Sequence, residues 1–177
     1  MFKTLFMAKP DDYNKTAKIY NNRYRETQFE KYRIMLSGLK LNGQILDHGC
    51  GTGLLGEFLA SWGSEAGEVG KRAWLLHGCD SSKEMLKIRG AGDLCNVEKL
   101  PYKNTEFDFV LSFSMLMNCK NPEKVIKEIK RVLKLNGTFV CTFLKSFESK
   151  LKPLLEKHFK IQLETNCGED VGFLFRL

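Results

Sequence analysis

Three carboxylates and a run of glycines carry the chemistry that this sequence spells out. Asp47 stands two residues before Gly49, and glycines follow at positions 51, 53 and 56. Glycine permits positive φ and lets backbone N–H groups come close to a ligand. A helical pattern begins at Leu54, so the first amides of that helix point into the turn. Gly51, Gly53 and Gly56 also fit G-x-G-x-x-G, a pattern that serves dinucleotides. The acid ahead of the glycines separates the two readings. A dinucleotide would bring a pyrophosphate to this place, and Asp47 would repel it. A carboxylate here suits a cationic, amino-acid-like ligand, by accepting from its ammonium group or by bracing the loop that holds it. Asp80 follows an apolar run, and an acid at a strand end can accept from both hydroxyls of a ribose.

These residues need a particular frame. Ile45 and Leu46 lie in a strand over Gln44–His48, and Leu54–Trp62 reads as the next helix. A second strand, Ala73–Cys79, ends at Asp80. Ser81 or Ser82 caps a helix with Glu84 and Met85 in its first turn. Ala91–Leu94 is a short strand, which sets Asp93 and Leu94 beside a loop. Phe107–Ser112 is a fourth strand, and its C-terminal end opens where parallel α/β folds place their sites. Asn121 caps a helix with Pro122 in the first position, burying Val125, Ile126, Ile129, Val132 and Leu133. Asn136-Gly137 turns into a strand over Thr138–Leu144. Ser146 is expected to cap a further helix, with Pro153 near its first turn or kinking it. Lys160–Asn166 and Val171–Leu177 form a terminal hairpin around Gly168-Glu169-Asp170. Ahead of all this, residues 11–38 read as helix, capped by Asp11 or Asp12, broken near Asn21-Asn22 and ended by Gly38. Tyr13, Ala17, Tyr20 and Tyr24 share one face. Lys15, Lys18, Arg23, Arg25, Lys31 and Arg33 are expected on the exposed one.

The run Ile45–Leu55 resembles the first motif of the class I S-adenosylmethionine-dependent methyltransferases, of the methyltransferase type 11-like kind. Cys79–Leu86 resembles the second motif, D-x-S-x-x-M-L. Gly92-Asp93, then Leu100-Pro101-Tyr102 and Phe107–Ser112, resemble the third and fourth. Pro122–Phe143 is similar to the helix and strand that follow. The resemblance covers roughly residues 12–177. It implies an α/β fold with a seven-stranded Rossmann-like sheet in the order 3-2-1-4-5-7-6, strand seven antiparallel, helices on both faces and an N-terminal helical lid. A single domain over residues 1–177 is expected, with 1–10 disordered or a weak docking segment and 11–38 a helical cap.

The resemblance also implies a cofactor, S-adenosyl-L-methionine, and S-adenosyl-L-homocysteine as product. Asp47, Gly49, Cys50, Gly51 and Gly53 would hold the amino-acid end, and Asp80 the ribose. Asp93 would accept from the adenine amino group while the N–H of Leu94 donates to the ring, matching adenine's donor–acceptor edge. Ser81 and Met85 would pack near the adenine, Tyr20 would cover the cofactor, and Ser112 would line the methyl-transfer pocket. Some features depart from the pattern. Asp47 to Asp80 is longer than the family usually needs, so 63–72 reads as a flexible insertion. No D/N-P-P-Y signature, Pro-Cys pair or histidine near Leu116–Asn118 is present. No catalytic residue is therefore assigned. A sulfonium donor needs alignment and exclusion of water more than a base.

The chain has 177 residues, enough for one α/β domain with a sizeable core. Its net charge of +7 favours an acidic partner such as RNA, though a lysine-rich solvated surface explains it equally well. The six cysteines and three histidines form no zinc pattern, and no metal is expected. Scattered thiols in apolar runs point to a reducing, cytoplasmic compartment. No apolar stretch approaches the ~20 residues of a membrane span. Three functions fit: a methyltransferase for an unidentified small molecule, an RNA or protein methyltransferase with a partner subunit, or a non-catalytic cofactor-binding partner or sensor.

Overall fold

The computed structural model describes residues 10–65 and 74–177, with side chains over 13–62 and 74–177. Expectations for residues 1–9, for the Asp11 or Asp12 cap and for residues 66–72 of the insertion fall outside that description, whereas residues 63–65, expected in the loop, continue the helix that begins at Leu54. In chain order the elements are α1 (Pro10–Leu36), β1 (Gly43–His48), α2 (Leu54–Glu65), β2 (Trp74–Asp80), α3 (Lys83–Arg89) and β3 (Asp93–Leu94). Then come β4 (Phe107–Phe113), a 3-10 turn (Leu116–Asn118), α4 (Pro122–Val132) and β5 (Leu133–Leu144). A second 3-10 turn (Lys145–Phe147), α5 (Glu148–Glu156), β6 (Lys160–Cys167) and β7 (Asp170–Arg176) complete the chain. The seven strands form one sheet in the order β3-β2-β1-β4-β5-β7-β6. β1 to β5 pair in parallel, while β7 runs antiparallel to both β5 and β6.

Successive strand residues face opposite sides of a sheet, and β1 and β4 are apolar on both. Ile45 and Leu111 pack on one side with Tyr32, Met35 and Leu36 of α1 and Leu55 and Phe58 of α2. Leu46 and Val110 pack on the other with Val125, Ile126 and Ile129 of α4 and Leu151 and Leu155 of α5. The central strands are thus covered on both faces, as parallel sheets require. The expected caps form. Ser82 Oγ accepts from the Met85 N–H at 3.2 Å, and Asn121 Oδ1 accepts from the Lys124 N–H at 3.0 Å.

Four local expectations are corrected. α1 is one unbroken helix of 27 residues. Asparagine breaks helices by bonding its own backbone, but the side chain of Asn21 is engaged by the Thr52 hydroxyl instead. Lys31, expected on the exposed face, is 7% exposed, because Asp170 supplies a partner inside the fold. β5 begins at Leu133, directly after α4. Asn136 adopts φ +64° within it, and a Cβ on Gly137 would lie 2.8 Å from the Lys134 carbonyl. The irregularity therefore sits inside the strand and does not delay its start. Ser146 lies in the 3-10 turn and caps nothing.

Candidate functional site

The turn between β1 and α2 runs Gly49-Cys50-Gly51-Thr52-Gly53. Its glycines take φ of +78°, +50° and +89°, a region that side chains disfavour. The N–H groups of Gly49 and Cys50 both donate to the Cys79 carbonyl, at 2.9 and 3.0 Å. A Cβ on Gly49 would meet Met115 Cγ at 2.5 Å. The turn is thus tied to the end of β2 and pressed by the segment after β4. Asp80 completes the tie. Its Oδ2 accepts from the Gly51 N–H and its Oδ1 from the Ser82 N–H, each at 2.8 Å. One carboxylate clasps the glycine turn and the start of α3 together. Burial raises its pKa, opposed by these N–H bonds.

Asp47 lies behind the turn, 4% exposed, with Arg89 Nη1 3.0 Å from its Oδ2. Burial pushes the Asp47 carboxyl up to about 6, against the pull of Arg89. Arg89 is the last residue of α3 and lies over Gly78, where a Cβ would sit 2.4 Å from the guanidinium. Sequence reasoning missed Arg89. Its only signal was a basic residue in the last turn of the helix that follows Asp80.

The register of β2 and β3 sets Asp93 beside Cys79 and Leu94 beside Asp80. Asp47, Asp80 and Asp93 thus lie on three adjacent strands near the C-terminal edge of the sheet, Asp93 in register with Cys79. Asp93 and Leu94 are exposed, and the Tyr102 hydroxyl donates to Asp93 at 2.8 Å. Ser81 is exposed and Met85 buried. Ser112 is fully buried, its Oγ 3.2 Å from His48 Nδ1. Burial takes the His48 pKa down to about 4, so this ring is neutral at physiological pH.

α1 lies across the open ends of β1 and β2. Asn14 Oδ1 accepts from Ser82 Oγ at 2.6 Å, and Asn118 Nδ2 donates to Tyr13 Oη at 2.9 Å. Burial pushes the Tyr13 phenol up to about 12. Tyr20 faces a cavity of about 30 Å³, lined also by Gln28, Tyr32, Asp47, Thr52 and Phe113. A larger cleft, about 520 Å³, lies at the opposite ends of the strands around Asp108, Lys134 and Arg176. It touches none of the glycines or acids at the C-terminal strand ends.

Residues 46–141 match the family described as "Methyltransferase domain". That is more than half of the chain. The chain belongs to the class I S-adenosylmethionine-dependent methyltransferases. It is 31% identical to an uncharacterized protein of Methanocaldococcus jannaschii over 87% of this chain and 59% of that one. It is 30% identical to demethylmenaquinone methyltransferase of Bacillus velezensis over 64% of this chain and 52% of that one. The chain therefore spans little more than half the length of these curated relatives. Its fold is shared with a Haloferax volcanii methyltransferase solved with the Trm112 methyltransferase activator. The TM-score is 0.75 at 14% identity, covering 94% of this chain and 96% of that one.

Within this methyltransferase the cysteines are all free and buried. Among the described residues no cluster of histidine, cysteine, aspartate and glutamate could hold a metal ion. No described helix is long and apolar enough to cross a membrane.

Proposed function

We propose that this methyltransferase binds S-adenosyl-L-methionine along the strand ends from Asp47 to Asp93 and transfers its methyl group to a small-molecule acceptor. The observation that carries the reading is the clasp of the glycine turn by Asp80, with Asp47 just ahead of that turn in β1 and Asp93 in the adjacent strand β3. When bound, the cofactor would supply an electrophilic methyl on a sulfonium, whose C–S bonding pair would stay on sulfur as the acceptor's lone pair bonds to the methyl carbon. The donor set fits such a ligand. Each Asp80 oxygen has one N–H partner and keeps acceptor capacity for a ribose hydroxyl. Asp93 keeps an oxygen beyond its tyrosine bond. Asp47 acts through Arg89, holding the glycine turn in place, and Tyr20 closes over the amino-acid end. With His48 neutral and buried, no base is assigned, and rate comes from alignment and exclusion of water.

A small acceptor is supported by the similarity to a demethylmenaquinone methyltransferase. The charge on α4 also argues this way, because most of its cations are met by acids. Lys124 pairs with Glu98, Lys127 with Glu123 and Arg131 with Glu128, while Lys130 donates to the His158 carbonyl. Three of the four α4 cations are thus neutralised locally, so the net excess of +7 is not concentrated on that helix. A second reading, an RNA or protein methyltransferase with a partner subunit, is favoured by the likeness to a methyltransferase solved with its activator.

Tritiated S-adenosylmethionine, incubated with the protein and lysate from a strain lacking it, tests the choice. Label in the small-molecule fraction supports the first reading. Label lost with ribonuclease or protease supports the second. Asp80→Ala is expected to weaken S-adenosylhomocysteine binding by about 1–3 kcal/mol, roughly 5- to 150-fold in Kd. Titration calorimetry on the folded variant checks it, and unchanged affinity would remove Asp80 from the site.

A further inference from the structure

Gln28 Oε1 is a buried acceptor with no hydrogen-bond partner among the described residues. Such an atom is costly to the fold and calls for a reason. The other side-chain atoms in this condition belong to His48 and His158, and neither residue lines the cavity beside the glycine turn. Gln28 does, together with Asp47, Gly49, Gly51 and Thr52. It is 6% exposed, and Lys31 and Tyr32 follow three and four residues later on the same face of α1. Lys31 Nζ lies 2.7 Å from Asp170 Oδ2, and Tyr32 packs with Ile45 and Phe58. The amide is therefore carried by a stretch of helix anchored in the core. Burial raises the Tyr20 phenol pKa, and a hydrogen bond from the Gln28 side chain opposes the rise. A group that lowers a phenol pKa donates to it. The amide nitrogen is thus used on Tyr20, and the carbonyl oxygen is left over.

The cavity measures about 30 Å³, more than the ~10–15 Å³ that one water-sized group needs. An ammonium group fits that room and brings three N–H donors and no acceptor. Other acceptors around the cavity are already engaged. Asp47 Oδ2 lies 3.0 Å from Arg89 Nη1, and the Thr52 hydroxyl is bonded to Asn21. We propose that Gln28 recognises the amino group of the cofactor, its Oε1 accepting from the ammonium of S-adenosylmethionine. This rests on the placement of the cofactor proposed above. Gln28 then selects ligands that carry the free amine over the same ligands without it. Its oxygen is already stripped of water in the free protein, so the new bond costs no desolvation on the protein side. A bond from a charged donor is also stronger than a neutral one.

The test is titration calorimetry of wild type and Gln28→Leu with two ligands, S-adenosylhomocysteine and its deaminated analogue, in which hydrogen replaces the amino group. Circular dichroism melts establish that the variant is folded, and Gln28→Met takes its place if it is not. For S-adenosylhomocysteine the substitution is expected to raise Kd about 10- to 100-fold, the size of a hydrogen bond to a charged group. For the deaminated analogue the two proteins should bind alike. An equal loss for both ligands would make Gln28 a packing residue, and no loss for either would leave the ammonium bound without it. Each of these results would overturn the proposal and leave the cofactor site standing. Failure of folded wild type to bind S-adenosylhomocysteine would overturn the cofactor placement and this role with it.

Discussion

Replacing Arg89 with alanine is expected to destabilise the protein by about 3–5 kcal/mol, the effect of orphaning one member of a buried pair. At about 2–4 °C per kcal/mol for a chain of this size, that is a fall of roughly 10 °C in Tm. The partner left behind is Asp47, which is 4% exposed and has no second cation within ion-pair distance among the described residues. The sign of the pH dependence follows. In the folded protein Asp47 titrates at about 6, above the ~3.9 of a free aspartate. A carboxylate raised in this way favours the folded state when protonated, and that contribution is lost as pH rises through the folded pKa. Without Arg89 the folded value climbs further. The deficit of Arg89→Ala should thus be largest at pH 8 and shrink toward pH 4. Melts of the ligand-free protein across that range check it. An Asp47→Asn/Arg89→Met double variant should recover much of the loss, since it buries no orphaned charge.

The second large effect is expected at Lys31. Lys31→Met strands Asp170, whose side chain is 1% exposed, and should also cost about 3–5 kcal/mol. Ser114 shares the loss. Its hydroxyl donates to Asp170 at 3.1 Å, and its backbone is held at φ +55°, a conformation costing of order 1–3 kcal/mol when its surroundings slacken. Urea unfolding should show a lower midpoint with the slope unchanged. The double variant Lys31→Met/Asp170→Leu should regain most of the stability, because an apolar pair can replace a buried ion pair at little loss. An unfolding free energy for Lys31→Met within about 0.5 kcal/mol of wild type, the range of ordinary surface changes, would show that the pair does not tie α1 to β7.

Much of the architecture was legible before folding. The sheet order came from the resemblance of Ile45–Leu55, Cys79–Leu86 and Phe107–Ser112 to family motifs, and the observed order agrees. Caps at Ser82 and Asn121 were legible because their partners lie three residues away. The asparagines of α1 misled for the same local reason. Asn21 reads as a breaker among its neighbours, and only the approach of Thr52 gives its side chain another use. Lys31 misled because a cation among lysines and arginines reads as solvated, and nothing nearby in sequence announces a buried carboxylate.

By itself, then, the sequence determined which residues would end strands, cap helices and turn the backbone, and which acids would stand at the strand ends. These depend on periodicity and on contacts within a few residues. Tertiary structure alone decided the partners of those acids: Arg89 for Asp47, the Gly51 and Ser82 amides for Asp80, Tyr102 for Asp93. It also decided that Lys31 would be buried and that the first half of α1 would rest on the site. Burial removes water as the default partner of every polar group, so each then takes whichever complementary group the closed chain brings within reach.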